Sequence, residues 1–467
     1  MNTEINKNIA GGKKQRSLLT HPEEGMLFSQ GDLKALLFPI IAEQLLSYLV
    51  GMADSVMVAS AGETAVSAVS LVDSISVLFI NIFSALAAGG AVAAGQYLGR
   101  GDVKNARRSA EQLIVLLAVI SGGINVLLIA FQGGVLQLLF GSSDAAIQAD
   151  CAIYYHIVMF SVPFIALYNG GAALFRTVGN SRVPMRISLL MNVINICGNA
   201  LLVYGLRMGV AGVAIPTVIS RGAGMVLILV LALRKNFTLN LRQLHHYRPV
   251  LHLIHNILSI GIPGGIENGM FQFGKLILMS LVSTLSVAEI TANAIGNTMG
   301  SLHCFIGISA NTAQTAVISR CVGAGDYQQA RWYMRYFLKF VYLTQGAVNL
   351  VLALAIPMTL RIYGVTADTG RYAMQIMLLH GIGSALLWPP AFMLNAGMRA
   401  AGDSRFAMII SSVSMWLCRV GGAYFFLLGC GVNVLGVWIA WIVDWLFRMA
   451  FFIPRYRGHV WETKGLV

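Results

Sequence analysis

The chain has 467 residues, of which 57% are apolar and only 11% are charged. Soluble globular domains carry about 25% charged residues, so this composition excludes such a domain and indicates an integral membrane protein. The formal net charge of +13 raises nucleic acid as a partner. However, the basic residues are spread over loops and tails beside apolar stretches, which favours contact with anionic lipid head groups instead.

The chain begins with a polar segment, residues 1–32, that lacks the pattern of a cleaved signal peptide, and we expect a cytoplasmic tail there. The first apolar stretch, residues 38–59, contains Glu43 and Asp54 on nearly one face of a helix. An ionised side chain at bilayer depth costs at least about 2.5–3.5 kcal/mol, so such residues normally face a bundle interior and bind ions or protons. For Glu43, bonding to backbone groups near Pro39 is the structural alternative.

Apolar runs of about 20 residues predict twelve membrane-spanning helices. The predicted spans are 33–59, 64–98, 107–132, 147–175, 184–205, 210–233, 252–284, 288–319, 331–357, 371–398, 406–428 and 433–453. Because twelve is even, both termini lie on one side of the membrane. Most of the 32 Lys and Arg residues fall on that side, whereas the opposite loops hold only Arg207, Arg361 and Arg371. This asymmetry predicts that both termini are cytoplasmic.

An offset of 224 residues aligns the two halves of the chain with each other. It places Glu43 on Glu267, and residues 99–102 (GRGD) on residues 323–326 (GAGD). Since six spans make one repeat, the halves share one orientation, as in transporters with parallel repeats. We therefore predict an all-α integral membrane protein with twelve transmembrane helices in two parallel six-helix repeats around a central cavity. The predicted boundaries are an N-terminal lobe at 33–233, a cytoplasmic linker at 234–250, a C-terminal lobe at 251–455 and a cytoplasmic tail at 456–467.

Several chemistries find no support in the sequence. The two G-x-G-D turns are best interpreted as helix punctuation, with Asp102 and Asp326 capping the helices that follow, rather than as a gate or a phosphate site. No Walker A or dinucleotide motif occurs, and the six cysteines form no CxxC pair. No HExxH motif or nucleophile elbow occurs either, so we expect neither an enzyme nor a bound cofactor.

The segment at 39–58 (PIIAEQLLSYLVGMADSVMV), the GRGD turn and the loop at 176–182 (RTVGNSR) together resemble the multidrug and toxic compound extrusion (MATE) family. The resemblance covers about residues 30–455, with weaker copies of the motifs in the second half. It implies a multi-pass exporter in the bacterial cytoplasmic membrane, working without a cofactor and as a monomer. Such an exporter exchanges small amphipathic, often cationic compounds for inward-moving H⁺ or Na⁺.

The resemblance also implies a cation-coupling site in the N-terminal lobe. Asp54 matches the first-span aspartate of that site, and Asn195 and Asn199 fall where the lobe supplies polar partners. These three residues are the expected Na⁺ ligands if Na⁺ is the coupling ion. One branch of the family has an aspartate at the position of Asn199, so this chain has one carboxylate fewer there. Glu43, on the helix face of Asp54, completes the predicted coupling set.

In the C-terminal lobe we predict that Glu267, Asn297 and His380 bind substrate. Glu267 resembles the seventh-span glutamate of the family, and His380 is the only titratable group well inside the tenth span. Asn297 is the repeat equivalent of Asp73. For this pair of positions, a part in cation coupling and a polar link between the first two spans of a half are equally weighted interpretations. Lys275 shares a helix face with Glu267 and is its expected partner.

Asp444 has Arg448 four positions further on, and Arg419 or Arg221 could also reach it, which predicts a structural ion pair. An alternative function within the same superfamily is a flippase of lipid-linked oligosaccharides. That function needs a cationic cavity, for which the spans offer Arg221, Lys275 and Arg419. The sequence leaves open the choice between H⁺ and Na⁺.

Overall fold

The computed structural model describes residues 25–467 apart from 61, 141–143, 243, 245 and 246. Every regular element in this part of the chain is a helix. The helices are α1 Gln30–Ala59, α2 Glu63–Gly99, α3 Val103–Ala130, α4 Gln132–Phe140, α5 Ala145–Met159, α6 Val162–Thr177, α7 Arg182–Asn199, α8 Gly209–Ala232, α9 Leu251–Val282, α10 Val287–Gly323, α11 Tyr327–Leu354, α12 Ile356–Tyr363, α13 Ala367–Leu386, α14 Trp388–Ala401, α15 Ser404–Val413, α16 Gly422–Tyr424 and α17 Leu435–Arg457. Most of the predicted N-terminal tail and three residues of the predicted linker lie outside the described residues.

Among the described helices, eight are long and apolar enough to cross a membrane, and two bent pairs raise the number to ten. The bent pairs are α5 with α6, at 42°, and α13 with α14, at 47°. Helices α9 and α10 are long enough but more polar, and they occupy the repeat positions of α1 and α2. With these two, the chain has the predicted twelve spans. The π-helical stretches 200–205, 414–421 and 425–429 continue the helices they follow.

The bends fall within two of the predicted spans, 147–175 and 371–398, so each of these spans is built from two helices. Proline lies in the first turn of both α6 and α14. A proline there lacks an N–H group that the first turn leaves unpaired in any case, so it starts a new helix at little cost but cannot continue the previous one. The short helices α4 and α12 also recur, each after the third span of its half.

The two G-x-G-D turns form the helix punctuation that the sequence predicts. Gly101 and Gly325 have φ values of 83° and 72°, in the left-handed region that favours glycine. The Asp102 carboxylate accepts from the Asn105 N–H at 3.0 Å, and Asp326 accepts from the Gln329 N–H at 2.9 Å. This backbone hydrogen bond lowers the pKa of Asp102. We call the membrane face that carries both turns the turn side.

The two halves of the protein meet closely at the turn side. A Cβ atom added to Gly99 would lie 2.0 Å from the Arg320 carbonyl oxygen, and one added to Gly323 would lie 1.9 Å from the Gln96 carbonyl oxygen. Gly99 and Gly323 are repeat equivalents, so the ends of α2 and α10 pack against each other almost symmetrically. Only glycine permits this approach of the two backbones. The protein is therefore closed on the turn side.

Both tails cross this closed face to the opposite half. The Phe28 N–H donates to the Tyr333 hydroxyl at 2.9 Å, and that hydroxyl donates back to the Phe28 carbonyl at 2.8 Å. At the other end of the chain, the Leu466 N–H donates to Gln96 Oε1 at 2.8 Å. Trp461, fully buried, packs between the rings of Tyr327 and Tyr456. The N-terminal segment thus holds the second half, and the C-terminal segment holds the first.

We expect Gly323→Ala to open the turn side. Its methyl group would overlap the Gln96 carbonyl, which is backbone and cannot turn away, and overpacking of this kind costs about 1–3 kcal/mol. A cysteine placed at Thr315, beyond the closure, should then react several times faster with a reagent added on the turn side. Gly346→Ala is the control, because a Cβ atom there meets nothing within 4 Å. Unchanged labelling and thermal stability in Gly323→Ala would contradict this account of the closure.

Candidate functional site

A polar cluster joins α1 to α7 and α8 near the ends of these helices that lie far from the turn side. Asn199 Nδ2 donates to Asp54 Oδ1 and, at 3.4 Å, to Asn195 Oδ1. Asn195 Nδ2 in turn donates to the Thr217 hydroxyl at 3.1 Å. Asn199 is fully buried, and its Oδ1 atom is a buried acceptor without a hydrogen-bond partner. The structure thus brings together Asp54, Asn195 and Asn199, as the sequence predicts.

The oxygen atoms of this cluster suit a small hard cation. One carboxylate, amide oxygens and a hydroxyl are ligands of the kind that hard cations accept, whereas soft metals prefer Cys and His. No group of three His, Cys, Asp or Glu residues that could hold a metal occurs in the described part of the chain. The Asn199 Oδ1 atom beside the Asp54 carboxylate is a buried acceptor without a partner, which is rare in native structures.

A second polar group lies close to the Asp54 cluster. It connects different helices from those that the sequence predicts. The Tyr154 hydroxyl on α5 donates to Asp73 Oδ1 at 3.1 Å. Arg221 on α8 donates to the Ser161 hydroxyl at 2.7 Å and interacts electrostatically with Asp73. Asp73 therefore connects the second and fourth spans, not the first and second.

The two intramembrane glutamates form equivalent contacts in the two halves. Arg176 Nη2 on α6 donates to both carboxylate oxygens of Glu43, at 2.8 and 2.7 Å. Arg399 Nη1 on α14 lies 3.4 Å from Glu267 Oε2, and Asn395 Nδ2 donates to Glu267 Oε1 at 3.0 Å. The arginines lie one position from exact repeat register, so each half contains one Glu–Arg pair.

These pairs correct two expectations. The partner of Glu267 is Arg399, not Lys275, whose ammonium group lies 6.0 Å from the Phe271 ring. Glu43 is not brought together with Asp54, because its carboxylate binds Arg176 nearer the turn side. Its predicted role in cation coupling stays a prediction, now without a direct contact to the Asp54 cluster.

A central cavity of about 420 Å³ lies between the halves, on the side of the membrane nearer the turn side. Helices α2 and α6 line it from the first half, and α9, α10 and α14 from the second. Small apolar side chains form most of the wall, together with the amides of Asn169, Asn268 and Asn311. Arg176 and Arg399 line it as well. The described residues of this wall include no acidic and no aromatic side chain.

In the second half, a buried ion cluster lies at the position that is equivalent, by the internal repeat, to the polar cluster of the first half. Asp444 binds Arg419 and Ser414, and Arg448 Nε donates to Asp444 Oδ1 at 3.0 Å. Asp444 is fully buried and the two arginines are nearly so. The predicted ion pair with Arg448 is confirmed, and Arg419 is the second partner.

The three residues predicted to bind substrate, Glu267, Asn297 and His380, do not line the cavity. His380 is buried among Trp438, Trp441 and Trp445, with its Nδ1 atom 3.0 Å from His303 Nδ1. Asn297 is exposed and donates to a carbonyl of its own helix, and the Glu267 carboxylate lies behind Arg399. Substrate contacts for these three residues remain predictions. The charged cavity residues that the sequence did not reveal are Arg176 and Arg399, which were assigned to loops.

Comparison with known proteins identifies the family. The family model MatE matches twice, at residues 39–201 and at residues 263–425. The chain belongs to the MATE family. The two matches start and end 224 positions apart, which is the offset of the internal repeat.

Two curated relatives cover almost the whole MATE chain. An uncharacterized transporter, YisQ, of Bacillus subtilis is 26% identical over 92% of this chain and 95% of its own length. A probable multidrug resistance protein, NorM, of Thermotoga maritima is 25% identical over 96% of each. A solved structure, described as an outward-facing multidrug resistance MATE transporter, superimposes with a TM-score of 0.84 at 18% identity, over 91% of this chain and 96% of the other. This MATE protein is therefore a multi-pass membrane transporter with the NorM-like twelve-helix fold.

Proposed function

We propose that this MATE protein is a secondary active exporter that moves small amphipathic compounds outwards in exchange for inward-moving H⁺ or Na⁺. The observation that carries this proposal is that one helix connects the two sites. Helix α1 holds Glu43 against Arg176 at the cavity and Asp54 against Asn199 in the polar cluster. Exchange requires that an event at one site changes the other, and a shared rigid helix provides that connection.

The coupling step is charge neutralisation at Asp54. When H⁺ or Na⁺ binds there, the half-buried carboxylate no longer needs the Asn199 amide as its hydrogen-bond donor. Asn199 and Asn195 can then reorient, which changes how α1 packs against α7. Transport follows if the cation-bound and substrate-bound proteins prefer opposite conformations, because a ligand shifts an equilibrium only by its difference in affinity for the two states.

The sequence of the second half supports the proposal that only the first half binds the coupling ion. At the repeat positions of Asp54, Asn195 and Asn199 it has Leu278, Arg419 and Ala423. The Arg419 guanidinium, bound to Asp444, is a permanent cation at the position equivalent to Asn195. A site that already contains a fixed cation does not need to bind a mobile one.

Efflux from proteoliposomes with separately imposed pH and Na⁺ gradients tests the exporter and identifies its ion. Rhodamine 123 and fluorescein, which share a xanthene frame and differ in charge, serve as dyes. We expect either the pH gradient or the Na⁺ gradient to drive efflux of at least one dye. A membrane potential without these gradients should drive little efflux. If neither gradient drives movement of either dye, the proposal fails.

The flippase alternative is not favoured. The residues named for its cationic cavity, Arg221, Lys275 and Arg419, do not line the central cavity, and the two arginines that do line it are each paired with a glutamate. The two curated relatives are described as transporters, one of them as a probable multidrug resistance protein. We likewise propose no catalytic activity for this chain.

We further propose that the turn side faces the cytoplasm, in agreement with the distribution of Lys and Arg. In a variant without the six native cysteines, we expect a cysteine at Lys104 to react only from inside the cell and one at Asp368 only from outside. Both positions are exposed, on opposite membrane faces. Reaction of the Lys104 cysteine with an impermeant reagent in intact cells would reverse the orientation.

A further inference from the structure

We infer that the central cavity binds the anionic group of an amphipathic organic compound between Arg176 and Arg399. This inference rests on the proposed transport function and adds a substrate class to it. The cavity, at about 420 Å³, has the size of sites for drug-sized molecules. The charged groups that its wall presents are two guanidinium groups, one from each half.

The Glu–Arg pairs are oriented with their positive ends towards the cavity. Arg176 and Arg399 belong to the wall, whereas Glu43 and Glu267 do not. The side chains of both glutamates are 12% exposed, less than the 19% of Arg176 and the 28% of Arg399. Each carboxylate therefore lies behind its arginine and holds the guanidinium plane in place. A cation in the cavity would meet the positive ends first.

Both arginines keep donors for a further partner. A guanidinium has five N–H groups, and Arg176 uses only its Nη2 atom for both oxygens of Glu43. Its Nε atom is buried and has no hydrogen-bond partner. Arg399 contacts Glu267 through Nη1 at 3.4 Å, a long hydrogen bond. A carboxylate, sulfonate or phosphate can accept two parallel bonds from such a group, which gives both charge and geometric selectivity.

The rest of the wall suits the body of such a compound. Ala88, Ala91 and Ile308 offer small apolar surfaces, and Asn268 and Asn311 offer amides. The Asn311 Oδ1 atom is buried and has no hydrogen-bond partner, so it can accept from a hydroxyl or amine of the bound compound. The occupant that this chemistry describes is a flat or compact apolar molecule with one anionic end.

Equilibrium binding without any ion gradient tests this inference separately from transport. Fluorescein as the anion and rhodamine 123 as the cation are titrated against the full-length protein in zwitterionic nanodiscs, by fluorescence anisotropy, with empty nanodiscs subtracted. We expect fluorescein to bind at least tenfold more tightly than rhodamine 123. Equal affinity, tighter binding of rhodamine 123, or no binding of either dye would overturn the inference, even if gradient-driven efflux occurs.

Two variants that remove charges of the Glu267–Arg399 pair should change fluorescein affinity in opposite directions. A purely structural role of this pair would not produce that pattern. Glu267→Gln leaves Arg399 without its counter-charge and should increase fluorescein affinity about threefold or more. The combined variant Arg399→Gln/Glu267→Gln keeps the hydrogen-bonding groups, removes both charges and should decrease that affinity at least tenfold. If Glu267→Gln instead weakens rhodamine 123 and leaves fluorescein unchanged, Glu267 binds cations and the inference is wrong.

Two controls complete the design. The combined variant Arg371→Gln/Asp368→Asn neutralises an exposed ion pair on the face opposite the turn side, and both dye affinities should stay unchanged. Phosphatidylglycerol added to the nanodiscs reveals the source of the anionic group. Displacement of fluorescein by this lipid means that the site takes lipid head groups, and no displacement means that it takes soluble anions. An identical loss of affinity in the surface variant would overturn the inference.

Discussion

Asp54→Asn is expected to reduce gradient-driven efflux at least tenfold, while the protein still inserts in the membrane and binds substrate. Asparagine keeps the size of the side chain, but it cannot titrate and carries no charge to attract Na⁺. Asn199 already donates to this position, so the amide of the variant can accept the same hydrogen bond through its oxygen. The fold should therefore survive, and only the coupling should be lost.

The measurement is dye efflux from proteoliposomes under the gradient that drives the wild-type protein. Equilibrium dye binding and thermal unfolding are recorded on the same preparation, to separate loss of coupling from loss of fold. Asp73→Asn is the matched control, since Asp73 is another intramembrane aspartate nearby but is bonded to Tyr154. Near-normal efflux by Asp54→Asn would exclude Asp54 as the coupling group. Equal loss in both variants would show that the wider cluster, and not Asp54 alone, couples the ion.

Intramembrane charges were the part of the structure that the sequence predicted best. The cost of a charge in an apolar span pointed to Asp54 and to the pair of Asp444 with Arg448, and the family resemblance added Asn195 and Asn199. In each case one helix period places two of the residues on the same face. When the partner of a charged residue lies on another helix, the sequence leaves several candidates. For Glu267 the expected partner was Lys275, and the partner in the structure is Arg399.

Arg176 and Arg399 show why the charged groups of the predicted cavity were missed. The predicted spans ended at residues 175 and 398, so both arginines were counted with the basic loops. A hydropathy profile ends a span at the first charge, even when the helix continues to Thr177 or Ala401. The internal repeat offered a signal for these two arginines. In both halves, an acidic residue follows the proline inside the first span, and an arginine stands at the end of the fourth span. Two acids and two bases at equivalent depths predict two ion pairs.

The contact between the halves could not be predicted from single helices. Gly99 and Gly323 were visible as repeat equivalents, and the helix punctuation predicted for their turns is confirmed at Gly101 and Gly325. That each glycine also admits the backbone of the other half depends on how α2 and α10 cross. The same limit applies to the tails, whose partners Tyr333 and Gln96 lie about 300 or more positions away in the chain.

Asp444→Asn is expected to prevent accumulation of folded protein. The change leaves Arg419 and Arg448 buried together without an anion, and breaking a buried ion pair by removing one partner costs about 3–5 kcal/mol. Here one carboxylate serves two guanidinium groups, so a single substitution breaks both pairs. The total stability of a protein domain is only about 5–15 kcal/mol, so a loss of this size is severe.

Arg419→Met should be tolerated much better, because it leaves Asp444 and Arg448 as a balanced pair and puts an apolar side chain beside Phe271 and Trp441. Asp368→Asn, which removes an exposed partner of Arg371, should change stability by about 0–1 kcal/mol. The measurement is the yield of monodisperse protein in detergent and its thermal unfolding temperature. We expect the order wild type, Asp368→Asn, Arg419→Met, Asp444→Asn, from most to least stable. If Arg419→Met proved as damaging as Asp444→Asn, the guanidinium itself and not the charge balance would stabilise this half.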